Sequence, residues 1–315
     1  MSAAVDSVSI SGLSHLVVEV GDLAAARDFY RDVLGFAEAA TDPWPHCGVH
    51  ALLAAADGAH LVLAERRDRP DLGATGVHQA YGVGPEARAR IADRLAALGV
   101  EVFRYKEDRP AEEADNFYFL DPAGNRVQLV AAHAVNGGPP ALDHAAVQVE
   151  NILRAERFYA GTLPGGVEHR VGWRTADYAR ARAWGDGKED MAPGTRRWDK
   201  RYTSMVNQRE VPRVNTQIFV RLGPAAFGIY LANQHFQEPP EEALAGTPRT
   251  AFAVPAGGLE AARGRLEAAG WPHEGPLRHG KGAPLAASLY FKDPGGNFLE
   301  LAETTAGGGR TGTAP

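Results

Sequence analysis

The 315-residue chain contains an internal repeat, and the two copies share a motif at each end. A strand-like segment at His15 precedes the pair Phe29-Tyr30 by fourteen residues, and a similar segment at His144 precedes Phe158-Tyr159 by the same distance. Further along, each copy contains one Asp-Pro-x-Gly-Asn sequence. A repeat of this length predicts two related domains that fold in the same way.

Hydrophobic periodicity and turn residues divide each copy into a strand, a helix and further strands. In the first copy, one helix is predicted to begin at the N-cap Asp22 and to end at Gly35. A second helix has Pro85 in its first turn, ends at Gly99 and places Leu98 on its apolar face. Strands are expected at about 100–105, 116–120 and 125–131, and the Asp-Pro-x-Gly-Asn sequences predict turns between the last two strands of each copy.

The predicted domains are residues 1–135 and 141–303, joined by a Gly- and Pro-rich linker. The second copy is longer because of an insertion at about 172–213. Between Arg170 and Arg213 there are eleven Lys and Arg residues against six Asp and Glu, a net charge of +5. This insertion is either a lid or docking segment that favours an anionic substrate, or a solvated surface excursion. The Gly-, Thr- and Ala-rich tail 304–315 is expected to be disordered.

Composition narrows the class of protein. The chain is 44% hydrophobic, and it contains no apolar run approaching the ~20 residues of a membrane helix. No signal peptide is recognisable at the N-terminus, and the single cysteine, Cys47, fits a reducing cytoplasm. A net charge of −6 argues against nucleic acid as a partner. We therefore expect a cytoplasmic protein with a small-molecule substrate and no membrane partner, as a monomer or homodimer.

These motifs resemble those of the vicinal oxygen chelate superfamily, which includes glyoxalase I, fosfomycin-resistance transferases, bleomycin-binding proteins and extradiol dioxygenases. The resemblance covers about residues 13–302 apart from the insertion. It implies an α+β fold of two tandem domains, each built from paired βαβββ modules that form a cupped, barrel-like sheet. It also implies one divalent metal ion, with Fe(II) favoured and Zn, Ni or Mn as alternatives.

The resemblance implies metal ligands in the first copy. His15 and His78 match the histidines on the first strands of the two modules, and Gln128 matches a last-strand residue that is more commonly Glu. His60 matches a fourth ligand found in glyoxalase I-like members. Imidazole suits Zn, Fe, Ni or Mn, and the Gln carbonyl is a weaker donor. We expect His15, His60 and His78 to come from three strands of one sheet; alternatively, each is an ordinary polar strand residue.

The second copy keeps a different subset of the family's ligand positions. His144 and Glu300 match a first and a last ligand, but the middle position falls on Thr250 or Ala251. The segment from Tyr290 to Glu300 is similar to the extradiol dioxygenase signature, in which a histidine acts as acid or base and a tyrosine binds substrate. His279 and Tyr290 are the candidates for these catalytic roles; the alternatives are a loop histidine and a core aromatic.

Coordination number separates the possible reactions. Three protein ligands, for example His15, His78 and Gln128 at Fe(II), leave room for a chelated substrate and O2, which favours an extradiol-type dioxygenase. Four ligands favour glyoxalase- or epimerase-like lyase or isomerase chemistry, but this needs a base and Gln128 cannot accept a proton. A metal-free drug-binding protein is the third possibility. Four residues are candidates for the rim of the cup, namely Trp44, His46, Cys47 and His50.

Overall fold

The computed structural model describes residues 8–39, 44–69, 76–103, 116–131, 138–149, 152–171, 217–231, 242–280 and 283–304. Within these residues, the strands form one sheet of eight and one sheet of seven, and the helices are few. This arrangement confirms the predicted α+β class with two tandem domains. Neither sheet closes into a complete barrel, in agreement with the predicted cupped form.

The described strands are numbered in chain order: β1 (Gly12–Val20), β2 (Ala37–Glu38), β3 (His50–Ala54), β4 (His60–Glu65), β5 (His78–Val83), β6 (Phe117–Leu120), β7 (Arg126–Ala131), β8 (Ala141–Val149), β9 (Gly166–Val171), β10 (Gln217–Leu222), β11 (Ala225–Leu231), β12 (Arg249–Val254), β13 (His273–Arg278), β14 (Leu285–Lys292) and β15 (Phe298–Thr304). The described helices are α1 (Leu23–Asp28), α2 (Pro85–Ala97), α3 (Ile152–Arg157) and α4 (Gly258–Ala268), with a 3-10 turn at Ala56–Gly58. Helices α1 and α3 each continue into a π-helical turn, Phe29–Leu34 and Phe158–Thr162.

The chain divides into two compact units. The N-terminal unit consists of Leu13–Ala145 with Thr247–Thr250 and Thr305–Pro315. The C-terminal unit consists of Met1–Gly12, Ala146–Gly246 and Ala251–Thr304.

Within the N-terminal unit, the strands belong to two different sheets. One contains the order β1-β4-β3-β2, in which β1 and β4 run parallel and His15 is directly opposite His60. The other contains β6-β7-β5-β8, in which β5 and β7 run parallel and Ala80 is opposite Gln128. Because side chains alternate along a strand, His78 and Ala80 share one face of β5, and Arg126 and Gln128 share one face of β7.

The Asp-Pro-x-Gly-Asn turn ties together the elements of its module. In the first copy, Asp121 accepts hydrogen bonds from the hydroxyl of Tyr30 at 3.0 Å and from the backbone N–H of Asn125 at 2.7 Å. The Asn125 amide also donates to the carbonyl of Glu19, near the end of β1, at 3.0 Å. The turn therefore fixes the Phe-Tyr helix against the sheet and the first strand.

The second copy repeats this arrangement in the C-terminal unit. The Tyr159 hydroxyl donates to Asp293 at 2.8 Å, and the Asn297 amide donates to the carbonyl of Gln148 at 2.9 Å. Burial raises the pKa of Asp293 to about 6 although four donors contact its carboxylate. The repeated motif thus has a structural role in both copies.

Most predicted helix boundaries agree with the structure. Asp22 caps α1 by accepting from the backbone N–H of Ala25 at 3.0 Å, and Gly35 follows the π turn with a φ of 86°. The prediction for Leu98 is wrong, because this residue follows the last helical residue of α2 and is 59% exposed.

Some strand predictions need correction. Of the strand expected at 100–105, the described part forms only an isolated bridge between Phe103 and Tyr118. Conversely, β13 lies in a segment where no strand was predicted, because its Gly275-Pro276 sequence is typical of loops. Thr304 ends β15 rather than beginning the tail; the rest of the tail and the basic insertion lie outside the described residues. No helix among the described residues is long and apolar enough to span a bilayer.

Candidate metal centre

The predicted ligands of the first copy are divided between two places in the N-terminal unit. His15 and His60 are cross-strand neighbours on β1 and β4, whereas His78 and Gln128 lie on β5 and β7 of the other sheet. The expectation that three of these strands belong to one sheet is wrong. Among the described residues, no group of three or more His, Cys, Asp and Glu side chains is arranged to hold a metal ion.

The structure instead brings His78 of β5 together with His144 of β8. Their Nε2 atoms are 3.1 Å apart, and the two rings meet edge to face at a centroid distance of 5.2 Å. His78 is buried, and the His144 side chain is 13% exposed. The first strands of two different modules therefore each contribute one imidazole to this place, which we call the candidate metal centre together with Gln128.

The hydrogen bonds of the two rings determine where their protons lie. His78 Nδ1 is 2.8 Å from the carbonyl oxygen of Gly76, and His144 Nδ1 is 2.5 Å from a carboxylate oxygen of Asp143. Both partners are acceptors, so each Nδ1 carries a proton. The two Nε2 atoms then face one another across 3.1 Å, an arrangement that a cation between them, a proton or a metal ion, would stabilise.

His78 itself does not carry this cation as a second proton at neutral pH. Burial, followed by the charge of His144, lowers the pKa of His78 to about 3. The Arg126 charge also disfavours protonation of His78, whereas hydrogen bonds to Gly76 and to the Gln128 side chain favour it. His78 is therefore neutral at pH 7, with a lone pair available on Nε2 and the Gln128 side chain beside it.

These donors fit a divalent metal ion. Two nitrogens bound about 2.1 Å from one ion at adjacent octahedral positions are about 3.0 Å apart, close to the separation of the two Nε2 atoms. Metal-bound histidines usually donate their second N–H to a carboxylate or a backbone carbonyl. Asp143 and Gly76 accept these bonds here. Gln128 can supply a carbonyl oxygen as the third donor.

An aromatic row extends from His78. The Tyr118 ring meets His78 edge to face at 5.7 Å and stacks on Phe103, also at 5.7 Å, with an interplanar angle of 15°. The guanidinium carbon of Arg126 lies 5.6 Å from the Phe103 ring centroid. Tyr118 is buried, whereas Phe103 and Arg126 are partly exposed. The row therefore places a cationic side chain near the two imidazoles.

His15 and His60 have different surroundings. The Trp44 ring packs edge-on against His15 at 4.8 Å and lies 5.4 Å from the ring of His60. His15 is fully buried, and burial, followed by the charge of His15, lowers the pKa of His60 to about 4. Trp44 and Cys47 are themselves buried, at 4% and 6% exposure, so the prediction that they line a rim is wrong. Aromatic packing surrounds this imidazole pair.

The candidate residues of the C-terminal unit form a hydrogen-bonded chain. Ser288 donates to a carboxylate oxygen of Glu300 at 2.5 Å, and its hydroxyl oxygen is 2.8 Å from Nε2 of His279. Since the hydroxyl proton points to Glu300, His279 donates to Ser288. Glu300 and Tyr290 are fully buried and are opposite one another on β15 and β14. Their roles as ligand and as substrate-binding group remain predictions, as does the acid–base role of His279.

Sequence reasoning missed the residues that support these groups. Asp143 immediately precedes His144, and Arg126 lies two positions before Gln128, so both could have been noticed from their spacing. Ser288 gave no signal, because a serine on an apolar strand is common. The contact between His78 and His144 depends on strand pairing across 66 residues, which no local pattern specifies.

Part of the chain is similar to a known protein. Over 123 residues, the chain is 28% identical to the glutathione transferase FosA of Serratia marcescens. The aligned region covers 38% of this chain and 80% of that protein.

Two solved structures resemble nearly the whole chain, and at their low identities they show the fold alone. A candidate dioxygenase from Bacillus subtilis has a TM-score of 0.60 at 14% identity and covers 95% of this chain and 87% of its own. Glyoxalase I from Zea mays has a TM-score of 0.54 at 16% identity and covers 93% and 92%.

Residues 12–129 match the family described as the Glyoxalase/Bleomycin resistance protein/Dioxygenase superfamily. The match includes His15, His78 and Gln128 and ends within β7. The matched region is the first of the two repeated copies, so this copy is similar to the Glyoxalase/Bleomycin resistance protein/Dioxygenase superfamily.

Proposed function

We propose that the chain is a metal-dependent enzyme that holds one divalent ion at His78, Gln128 and His144 and binds a small substrate through two adjacent oxygen atoms. One observation carries the proposal: the two Nε2 atoms are 3.1 Å apart while both Nδ1 atoms donate elsewhere. A cation that binds between the two Nε2 atoms would stabilise this arrangement.

The side chains of the centre have distinct tasks. Asp143 and Gly76 fix the orientation of the two rings, and Gln128 adds a neutral oxygen donor. When bound, the ion supplies Lewis-acid polarisation of the substrate oxygens and, if it is iron, redox chemistry with O2. Three neutral ligands leave the full positive charge of the ion uncompensated, which favours a substrate whose chelating oxygens are anionic, such as a catecholate.

We favour an extradiol-type dioxygenase with Fe(II) over a lyase or isomerase. Three protein ligands leave three positions of an octahedron, enough for a chelated substrate and O2. Glyoxalase- or epimerase-like chemistry needs a proton acceptor at the substrate, and Gln128 cannot serve as one. The lyase or isomerase remains the second candidate, since glyoxalase I from Zea mays shares the fold. A metal-free drug-binding protein is the third.

Elemental analysis tests the metal centre. The full chain, purified without chelator, should contain close to one ion per molecule, and His78→Ala and His144→Ala should each lose it. His273→Ala, which changes a half-buried histidine on β13, is the matched control and should retain the ion. His15→Ala and Glu300→Ala test the other predicted ligands and should also retain it. A wild-type chain that takes up no Fe(II), Zn, Ni or Mn would contradict the proposal.

Oxygen consumption then tests the reaction. With Fe(II)-loaded protein and a series of catechols, a dioxygenase should consume about one O2 per ring opened. Metal-loaded protein that consumes no O2 but converts a hydroxy-carbonyl substrate would identify the lyase or isomerase instead.

A further inference from the structure

Arg126 is placed where it can contact a substrate held at the candidate metal centre. It lies on the same face of β7 as Gln128 and two residues away, and two residues on a strand are about 6.6 Å apart. In the register of β5 and β7, Ala80 is opposite Gln128, so His78, two positions earlier on β5, lies beside Arg126. The basic group is therefore roughly one small molecule away from the centre.

The surroundings of Arg126 complete a recognition surface. Phe103 offers a ring face to the guanidinium at 5.6 Å and stacks on Tyr118, which reaches His78. Phe103 and Arg126 are partly exposed, whereas Tyr118 and His78 are buried. The aromatic contacts thus connect the buried His78 with the partly exposed Phe103 and Arg126.

We propose that Arg126 binds a carboxylate of the substrate, so that the substrate is a carboxylic acid with two adjacent oxygens at its other end. This inference rests on the proposed function. A guanidinium has five N–H donors, so it can donate hydrogen bonds to a carboxylate in addition to its present contacts. Its planar fork matches the two oxygens of a carboxylate. Phe103 and Tyr118 pack against the apolar carbons between the two polar ends.

Ligand binding to zinc-loaded protein tests this inference without any turnover. Calorimetry compares 3,4-dihydroxybenzoate with 3,4-dihydroxybenzamide, two catechols of equal size that differ in the negative charge. We expect the wild type to bind the carboxylate about tenfold more tightly than the amide. Arg126→Gln should abolish this preference, while the protein still takes up one zinc ion and still binds the amide.

Two further variants serve as controls. Arg126→Lys keeps the charge but loses the fork, so it should retain only part of the preference. Arg90→Gln removes the same charge from the exposed face of α2 and should bind both ligands like the wild type.

The outcomes separate the two proposals. If zinc binds normally but the wild type does not distinguish the two catechols, or Arg126→Gln still does, the role of Arg126 is refuted and the metal centre stands. If the wild type binds no zinc and no other divalent metal, both proposals are refuted. A loss of the preference in Arg90→Gln as well would assign it to overall charge and also refute the role of Arg126.

Discussion

Replacing Gln128 by glutamate tests whether this residue is a metal ligand. Gln128 is 3% exposed and its side chain contacts His78, so the substitution exchanges a neutral donor for a charged one at nearly constant volume. In the proposed centre, Gln128→Glu should bind a divalent ion more tightly than the wild type. Without metal it should be less stable, because a carboxyl group then lies buried beside a neutral imidazole.

The size of the effect follows from two opposing contributions. At an effective dielectric constant of about 20, one negative charge about 4 Å from a divalent ion gains about 8 kcal/mol. Because residue 128 is only 3% exposed, the carboxyl favours its protonated form in the metal-free variant, and the ion must displace this proton at a cost of several kcal/mol. The difference of a few kcal/mol corresponds to a dissociation constant about 10 to 100 times smaller than that of the wild type.

Calorimetric titration with zinc measures this constant, and thermal unfolding with and without chelator measures the two stabilities. Gln128→Met removes the oxygen while keeping the volume, so its affinity should be at least about tenfold weaker than that of the wild type. The reasoning is refuted if both variants bind zinc with the wild-type constant, because residue 128 would then lie outside the coordination of the ion.

Three further predictions concern stability in the presence of chelator. The pKa of His78 is about 3 in the folded chain and 6.5 as a free side chain, so its contribution is complete above pH 6.5 and is lost on acidification. Urea unfolding of the wild type should show a loss of about 3 kcal/mol between pH 6.5 and 4.5 from this group, and His78→Asn should lack it. The stabilising contribution of Asp293 changes with pH in the opposite direction. Its pKa rises from 3.8 to about 6, so this contribution is complete below pH 3.8 and is lost as the pH rises to 6. Asp293→Asn should remove this decline of about 3 kcal/mol, and an unchanged slope would exclude the carboxyl as its source. Leu95→Ala should cost 2 to 5 kcal/mol because Leu95 is fully buried, whereas Leu98→Ala, at 59% exposure, should change the unfolding free energy by less than about 0.5 kcal/mol.

Local signals in the sequence predicted the elements well, because caps and turns depend on near neighbours. Asp22 caps α1 and Gly35 follows it with positive φ, as their residue types indicate. The prediction for Leu98 failed because α2 ends at Ala97. Leu98 therefore no longer follows the helical periodicity, and its side chain lies in solvent. Strand β13 was missed because Gly275-Pro276 interrupts a pattern that tertiary pairing with β14 restores.

The sequence predicted the individual residues of the candidate metal centre but not which of them lie together. The repeat identified His15 and His144, and His78 and Gln128 followed from the resemblance. Two of these histidines come together only if their modules contribute neighbouring first strands to the same sheet. This choice is made by packing over long sequence separations, and hydrophobic patterns are the same for either outcome. The contact of His78 with His144 therefore could not be predicted from the sequence.

The two first-strand histidines show how a duplicated module can diverge. His144 donates from Nδ1 to Asp143 and presents Nε2 to His78, so its ring is held for a ligand. The repeat places His15 at the same position, but Trp44 packs edge-on against it and also contacts His60. Trp44 is only 4% exposed, so displacing an aromatic of this size from its packing would cost several kcal/mol. In the N-terminal unit, we therefore expect an ion to bind where His78 and Gln128 already face a second imidazole, and His15 to contribute to packing.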